Sequence, residues 1–187
     1  MAVAWRTTPP LTVDDLDHFP SDGCRYELIE GDLHVSAAPR NLHQRALQNL
    51  LVLLARTCPP ELEILPGPAV VLGPATQLEP DFCVVPVPAG HTPRKVEAPP
   101  LLVCEILSPS TRRYDLGMKR PVYRDAGVGA MWIVDPEIPS VTEWRWDGED
   151  EVERHAEGEE PLDVAWPFPV RVVPARLVEP GGTAERG

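Results

Sequence analysis

Apolar positions along the chain switch between two periods, and the switches outline an α/β fold. Residues 25–36, RYELIEGDLHVS, alternate in two short runs around Glu30, Gly31 and Asp32, the pattern of a β-hairpin. Leu42, Ala46, Leu50 and Leu53 then recur at helical spacing, with Leu47, Leu51 and Leu54 widening the stripe, so the pattern predicts a helix capped by Asn41 and running to about Thr57. Three β segments follow at about 62–65, 69–72 and 81–85, each bounded by Pro or Gly. Residues 101–107, LLVCEIL, are apolar on both faces, as in the middle of a covered sheet. A helical stretch from about Arg112 to Ala126 stops at Gly127, and MWIVD, 131–135, is another apolar strand. Late runs at 141–146, 151–155 and 170–173 read either as short antiparallel strands or as irregular arms. The order predicts a mixed sheet flanked by helices, with an N-terminal β-hairpin.

Composition sets the limits of this picture. A length of 187 residues fits one domain, and 43% hydrophobic with 25% charged residues is ordinary for a folded chain. The 24 prolines gather between the apolar runs as stiff loops, and no stretch is long enough to be a linker. The expected core spans about 12–178, followed by a flexible tail at 179–187. No secretory leader is visible and no run approaches the ~18 apolar residues of a membrane span, which predicts a cytoplasmic protein without a membrane partner. Cys24, Cys58, Cys83 and Cys104 are too scattered for a zinc site or a disulfide framework.

The net charge of -12 opposes nonspecific attraction to a polyanion. Its distribution is uneven, however. Residues 143–163 hold ten acids against two bases, whereas 112–124 hold Arg112, Arg113, Lys119, Arg120 and Arg124 against Asp115 alone. A basic face around the second helix is therefore compatible with the total.

Glu105 is the most informative position for chemistry. A carboxylate inside an apolar strand costs several kcal/mol unless a cation or strong hydrogen bonds offset it. By alternation it shares a face with Leu101, Val103 and Leu107. Its partner is either a structural Lys or Arg, or a functional cation. Asp81 opens the preceding strand after Pro80, on the face of Cys83 and Val85, and two acids on neighbouring strands offer the hard oxygens that Mg²⁺ or Mn²⁺ takes. Asp115, Lys119 and Tyr123 lie four apart and line one side of a regular helix, from which Lys119 can reach Glu105. Asp115 and Lys119 also read as an ordinary surface pair. Pro121 complicates the helix: it is either kinked there, with Gly117 easing the clash, or a regular helix starts near Arg120 and leaves Lys119 in a loop. His43, on the apolar side of the first long helix, reads as a half-buried histidine or as a participant in chemistry.

Taken together, Tyr26, Glu27, Leu28 and Gly31, His43, Pro80-Asp81, Glu105 before Ser108-Pro109-Ser110-Thr111, then Asp115, Lys119, Tyr123, Gly127 and Trp132-Ile133-Val134-Asp135 resemble the Uma-type restriction endonuclease family, a branch of the PD-(D/E)xK nucleases. The resemblance extends over roughly 12–178. It implies a restriction-endonuclease-like fold, DNA as substrate, and a Mg²⁺ or Mn²⁺ ion held by Asp81, Glu105 and the Ile106 carbonyl. Glu27 is an additional acid of the motif, read equally as a solvent-facing hairpin residue. The chain departs from the usual pattern two residues after Glu105, where Leu107 stands in place of the nuclease lysine, so Lys119 is the expected replacement. Arg112, Arg113 and Arg120 are the expected phosphate contacts. No sequence-reading module is visible, so target choice comes from a homodimer, from a separate partner, or does not exist. The alternative reading is a nuclease fold that no longer cuts and serves as a binding or assembly module.

Overall fold

The computed structural model describes residues 3–5, 8–37, 40–87, 95–109, 112–148 and 150–181. In chain order the elements are β1 (Val3–Trp5), α1 (Val13–Leu16), β2 (Arg25–Ile29), β3 (Asp32–Ser36), α2 (Asn41–Ala55), β4 (Leu62–Pro66), β5 (Ala69–Gly73), β6 (Thr76–Leu78), β7 (Phe82–Pro86), β8 (Lys95–Val96) and β9 (Leu102–Ile106). A helical segment follows: α3 (Arg112–Tyr114), a π-helical turn (Asp115–Lys119) and α4 (Arg120–Asp125). Then come β10 (Ala130–Asp135), β11 (Ser140–Asp147), β12 (Asp150–Glu157), β13 (Leu162–Val164), β14 (Val170–Val172) and α5 (Pro174–Val178).

The β2–β3 hairpin closes through Glu30 and Gly31, at φ 52° and 83°, with Ile29 paired to Asp32. Two consecutive positive φ values make the tight primed turn whose twist matches the flanking strands. Gly31 is required for a second reason: a Cβ there would lie 2.6 Å from the Pro10 side chain.

This hairpin is not an appendage. It sits inside a six-stranded sheet of order β1-β3-β2-β6-β5-β8, while a second six-stranded sheet runs β12-β11-β10-β9-β7-β4. The segments read at 62–65 and 81–85 fall in the second sheet and that at 69–72 in the first. In the second sheet β9 and β10 are parallel, and β9 pairs antiparallel with β7. The late runs at 141–146 and 151–155 are strands, forming the long β11–β12 hairpin, and the run at 170–173 supplies β14, which pairs with β13.

Strands β9 and β10 are covered on both faces, which is why they read as continuous apolar runs. On one face, Leu102, Cys104, Ile106, Trp132 and Val134 pack with Ala46, Leu50 and Leu54 of α2 and Leu177 of α5. On the other, Val103, Leu107, Met131 and Ile133 meet Ile29, Val70 and Leu78 of the first sheet and Tyr114 and Tyr123 of the helical segment. The second layer is thus a sheet as well as a helix. Asn49, buried on α2, ties α5 down by donating to the carbonyls of Leu177 and Glu179, both at 2.9 Å. That bond anchors the first residue of the expected tail; 182–187 lie outside the described residues.

Two helix boundaries differ from the sequence reading. Arg40, not Asn41, is the N-cap of α2 and makes no side-chain cap bond, so Asn41 already lies inside the helix. The 112–126 stretch is helical but not regular, because Pro121 has no N–H and its ring crowds the carbonyl four residues back. The chain answers with the wider π turn and restarts as α4 with Pro121 in its first turn, where no donor is missed. Gly117 is not needed for space, since a Cβ there would meet nothing within 4 Å.

Leu50 is fully buried on α2, whereas Val52 is 42% exposed. Leu50→Ala should cost about 2–5 kcal/mol in chemical denaturation and Val52→Ala roughly 0.5 or less. Similar losses for both would mean that α2 does not present this face to the sheet.

Candidate active site

Glu105 meets its cation from the helical segment. Lys119 Nζ lies 3.0 Å from Glu105 Oε1, 2.8 Å from Glu27 Oε1 and 3.3 Å from Asp115 Oδ1. The Tyr123 hydroxyl donates to the same Glu105 Oε1 at 2.7 Å, and the ammonium sits 5.1 Å from the centre of the Tyr114 ring. The π turn keeps Asp115 and Lys119 on one side while moving Lys119 inward, and both are buried along with Glu27 and Glu105. The surface-pair reading of Asp115 and Lys119 and the solvent-facing reading of Glu27 are therefore corrected. Glu27 projects from the face of β2 that meets the second sheet, and its Oε1 also accepts the Glu79 amide at 2.8 Å.

These contacts decide the protonation states. Burial pulls the Lys119 ammonium toward neutrality, but Glu105, Glu27 and Asp115 outweigh it and hold its pKa well above the ordinary lysine value. Burial lifts the Glu105 carboxyl well above the usual range; Lys119 opposes the rise, and Asp115, Glu27 and Asp81 add to it.

Asp81 stands just ahead of β7 and is anchored at both ends of its residue. Its N–H donates to the Cys104 carbonyl at 2.9 Å, and its own carbonyl accepts from Gly67 at 2.9 Å. The carboxylate does not follow the simple alternation with Cys83 and Val85. Oδ2 takes the amide of Ile106, the residue after Glu105, at 2.7 Å, in place of a backbone rung. His43 from α2 reaches the same oxygen through Nε2 at 3.0 Å, which makes Nε2 the protonated nitrogen; its buried Nδ1 has no partner among the described residues. Arg25 Nη2 meets Oδ1 at 3.1 Å, and Arg25 Nε is 3.7 Å from Glu79 Oε2. Burial pushes the Asp81 carboxyl up, but the His43 bond, the Arg25 charge and the Ile106 amide bring it below the usual carboxylate range. Glu79 is pushed up to about 7, chiefly by burial.

Arg25 and Glu79 were missed in the sequence reading. The signal for Arg25 was present: it stands two residues before Glu27, on the same face of one strand. Glu79 becomes a neighbour only once the first sheet folds over the second. At Ile106 it is the amide that contacts Asp81.

Most of the basic residues of 112–124 are paired with acids. Lys119 is enclosed by acids, Arg112 is paired with Asp135 at 2.5 Å, and Arg124 with Asp125 at 2.9 Å. Arg120 pairs with Glu151 and lies over the Trp144 ring, 4.6 Å from its centre. Arg113 is exposed and has no ion pair among the described residues.

The donor set fits a divalent ion. Five acids, Glu27, Glu79, Asp81, Glu105 and Asp115, face the two cations Arg25 and Lys119, and burial favours the protonated forms of Glu79 and Glu105, so a hard divalent ion would take the place of those protons. Among the described residues no three His, Cys, Asp or Glu side chains form a metal-ligating group. Mg²⁺ does not need one, because it commonly takes one or two carboxylates and keeps several waters.

Comparison with known proteins agrees with this architecture. Four chains of solved structures are similar; one of them, a "putative nuclease belonging to DUF820 from Anabaena variabilis", is 18% identical, with 83% of this chain and 89% of that chain covered at a TM-score of 0.68. At that identity the likeness speaks to the fold. No curated protein matches the chain. The family model Uma2, described as "Putative restriction endonuclease", matches residues 13–172, and the chain belongs to that family.

Proposed function

We propose that the protein is a metal-dependent endonuclease that hydrolyses phosphodiester bonds of DNA. The observation that carries this reading is the bond of the Asp81 carboxylate to the amide of Ile106, the residue after Glu105, with Lys119 fixed on Glu105. Membership of a family described as restriction endonucleases supports it.

Asp81 and Glu105 would hold Mg²⁺ or Mn²⁺, with the Ile106 carbonyl as a third oxygen. When bound, the ion activates water and offsets the charge that builds on the phosphate. The side chains divide the remaining work. Both donors to Glu105 reach Oε1, so Lys119 and Tyr123 fix the orientation of that carboxylate. Lys119 keeps its proton at neutral pH and is therefore a hydrogen-bond donor, not a base. Its longest contact, 3.3 Å to Asp115, is the one a water or phosphate oxygen replaces at least cost. His43 and the Ile106 amide hold Asp81 Oδ2, which leaves Oδ1 as the oxygen able to change partner. Of the three expected phosphate contacts, Arg113 has no ion pair among the described residues to break, whereas Arg112 and Arg120 must first leave Asp135 and Glu151.

Loss of the lysine from its usual place favours a non-cutting binding module as the second reading. The two separate in a plasmid-nicking assay with Mg²⁺ or Mn²⁺, each protein being checked for folding by circular dichroism. Nicking should disappear in Asp81→Ala and in Glu105→Ala; equal residual activity in either would sink the assignment. Lys119→Met should lower the cleavage rate about 10²–10³-fold, the usual loss when one donor to a developing negative charge is removed. A rate unchanged in Lys119→Met would mean that the ammonium only balances buried acids.

A further inference from the structure

The two oxygens of Asp81 are held by very different groups. Oδ2 accepts from a backbone amide inside the sheet at 2.7 Å and from the buried His43 ring at 3.0 Å, and neither donor can leave without disturbing β9 or α2. Oδ1 meets Arg25 Nη2 at 3.1 Å. The Arg25 side chain is 27% exposed, against 2% for Lys119, so it stands where the cluster opens to solvent. Its Nε faces Glu79, itself 29% exposed, at 3.7 Å. Arg25 thus bridges a deep acid and a shallow one. It is permanently charged, and the negative field of Asp81, Glu105 and Glu27 draws it inward.

From this geometry we propose that Arg25 is an exchangeable counter-ion: a divalent cation takes Asp81 Oδ1 from it, and the displaced guanidinium, retained at the mouth by Glu79, binds a phosphate oxygen of the nucleic acid. The inference rests on the metal reading given above. It follows from the constraint that Oδ2 is already satisfied, so an ion reaching Asp81 competes for Oδ1. An ion on Oδ1 would lie within a few ångströms of the guanidinium, and the repulsion between the two positive charges displaces Arg25, the most exposed of the three groups bound to Asp81 side-chain oxygens. Once freed, its planar fork suits a phosphate, and Glu79 keeps it within reach of the site. Ion entry and substrate capture are then coupled through one side chain.

A purely structural arginine makes the opposite prediction. If Arg25 served to hold Asp81 in place, its removal would weaken ion binding; if it competes, removal strengthens it. Calorimetric titration of the intact chain with Mn²⁺, in the absence of nucleic acid, reads the sign directly. Arg25→Met should bind Mn²⁺ on the order of tenfold more tightly than the unaltered protein, the equivalent of one charge-assisted contact no longer opposed. Arg25→Lys retains a cation and guards against a folding failure; it should bind Mn²⁺ with intermediate affinity. With a short DNA duplex in Ca²⁺, Arg25→Met should bind more weakly, and the slope of log affinity against log salt should fall by about one. Mn²⁺ affinity that is equal or lower in both variants overturns the proposal while leaving the metal site intact. Absence of Mn²⁺ binding from all three proteins overturns the metal reading itself and this proposal with it.

Discussion

A fully buried ammonium surrounded by carboxylates from three different elements governs this structure. Lys119 reaches Glu27 on β2, Glu105 on β9 and Asp115 one turn before it, so the first sheet, the second sheet and the helical segment are joined at one atom. Isolated burial of any of these charges would cost several kcal/mol, and each is tolerable because the others are present. The apolar contacts between the two sheets, Ile29, Val70 and Leu78 against Cys83, Val103 and Met131, give adhesion without demanding one alignment. The lysine cluster demands one. A shift of β2 by a single residue would turn Glu27 away from the second sheet and leave Lys119 undercompensated.

The same requirement explains the irregular helix. A straight α-helix through Pro121 would lose a hydrogen bond and crowd a carbonyl, while a break before Arg120 would put Lys119 in a loop with little control over its ammonium. The π turn from Asp115 to Lys119 satisfies both demands, accommodating the proline and carrying the lysine inward with Tyr123 behind it. Such turns are frequent at functional sites, where local geometry is traded against the position of one side chain.

Strands and helices were legible because their apolar periods are set locally. Positions 42–54 could only be an amphipathic helix, and LLVCEIL announced a strand covered on both faces, with Glu105 conspicuous within it. The division of the strands between two sheets was not legible, since β5 and β7 carry similar apolar patterns and nothing in either says which neighbour it will pair with. That gap accounts for the missed site residues. Arg25 and Glu79 acquire a role only when the hairpin sheet is folded onto β7 and β9, and Glu27 could not be separated from a solvent-facing residue until then. The carboxylate of Asp81 was misread by one level of detail: alternation fixes side-chain direction within a strand, but Asp81 lies just ahead of one and uses its carboxylate as a surrogate for a backbone acceptor.

Under the proposed nuclease reading, Leu107 stands where the usual pattern has its lysine. It lies two residues beyond Glu105 on the same strand face, and it is buried in the layer between the sheets together with Val103 and Ile133. A lysine at that point would have to hold its ammonium against the short, rigid spacing of a strand. From the helix, Lys119 approaches Glu105 along a longer path and gathers Glu27 and Asp115 on the way, at 2.8 and 3.3 Å. Leu107 can then contribute packing where the usual pattern has charge. The exchange also raises the number of acids bound to the lysine, which keeps it cationic more firmly than one carboxylate would. The proposed chemistry would require a positive donor at a defined place beside Glu105, and Lys119 supplies one from a position in the sequence set by the helix that carries it.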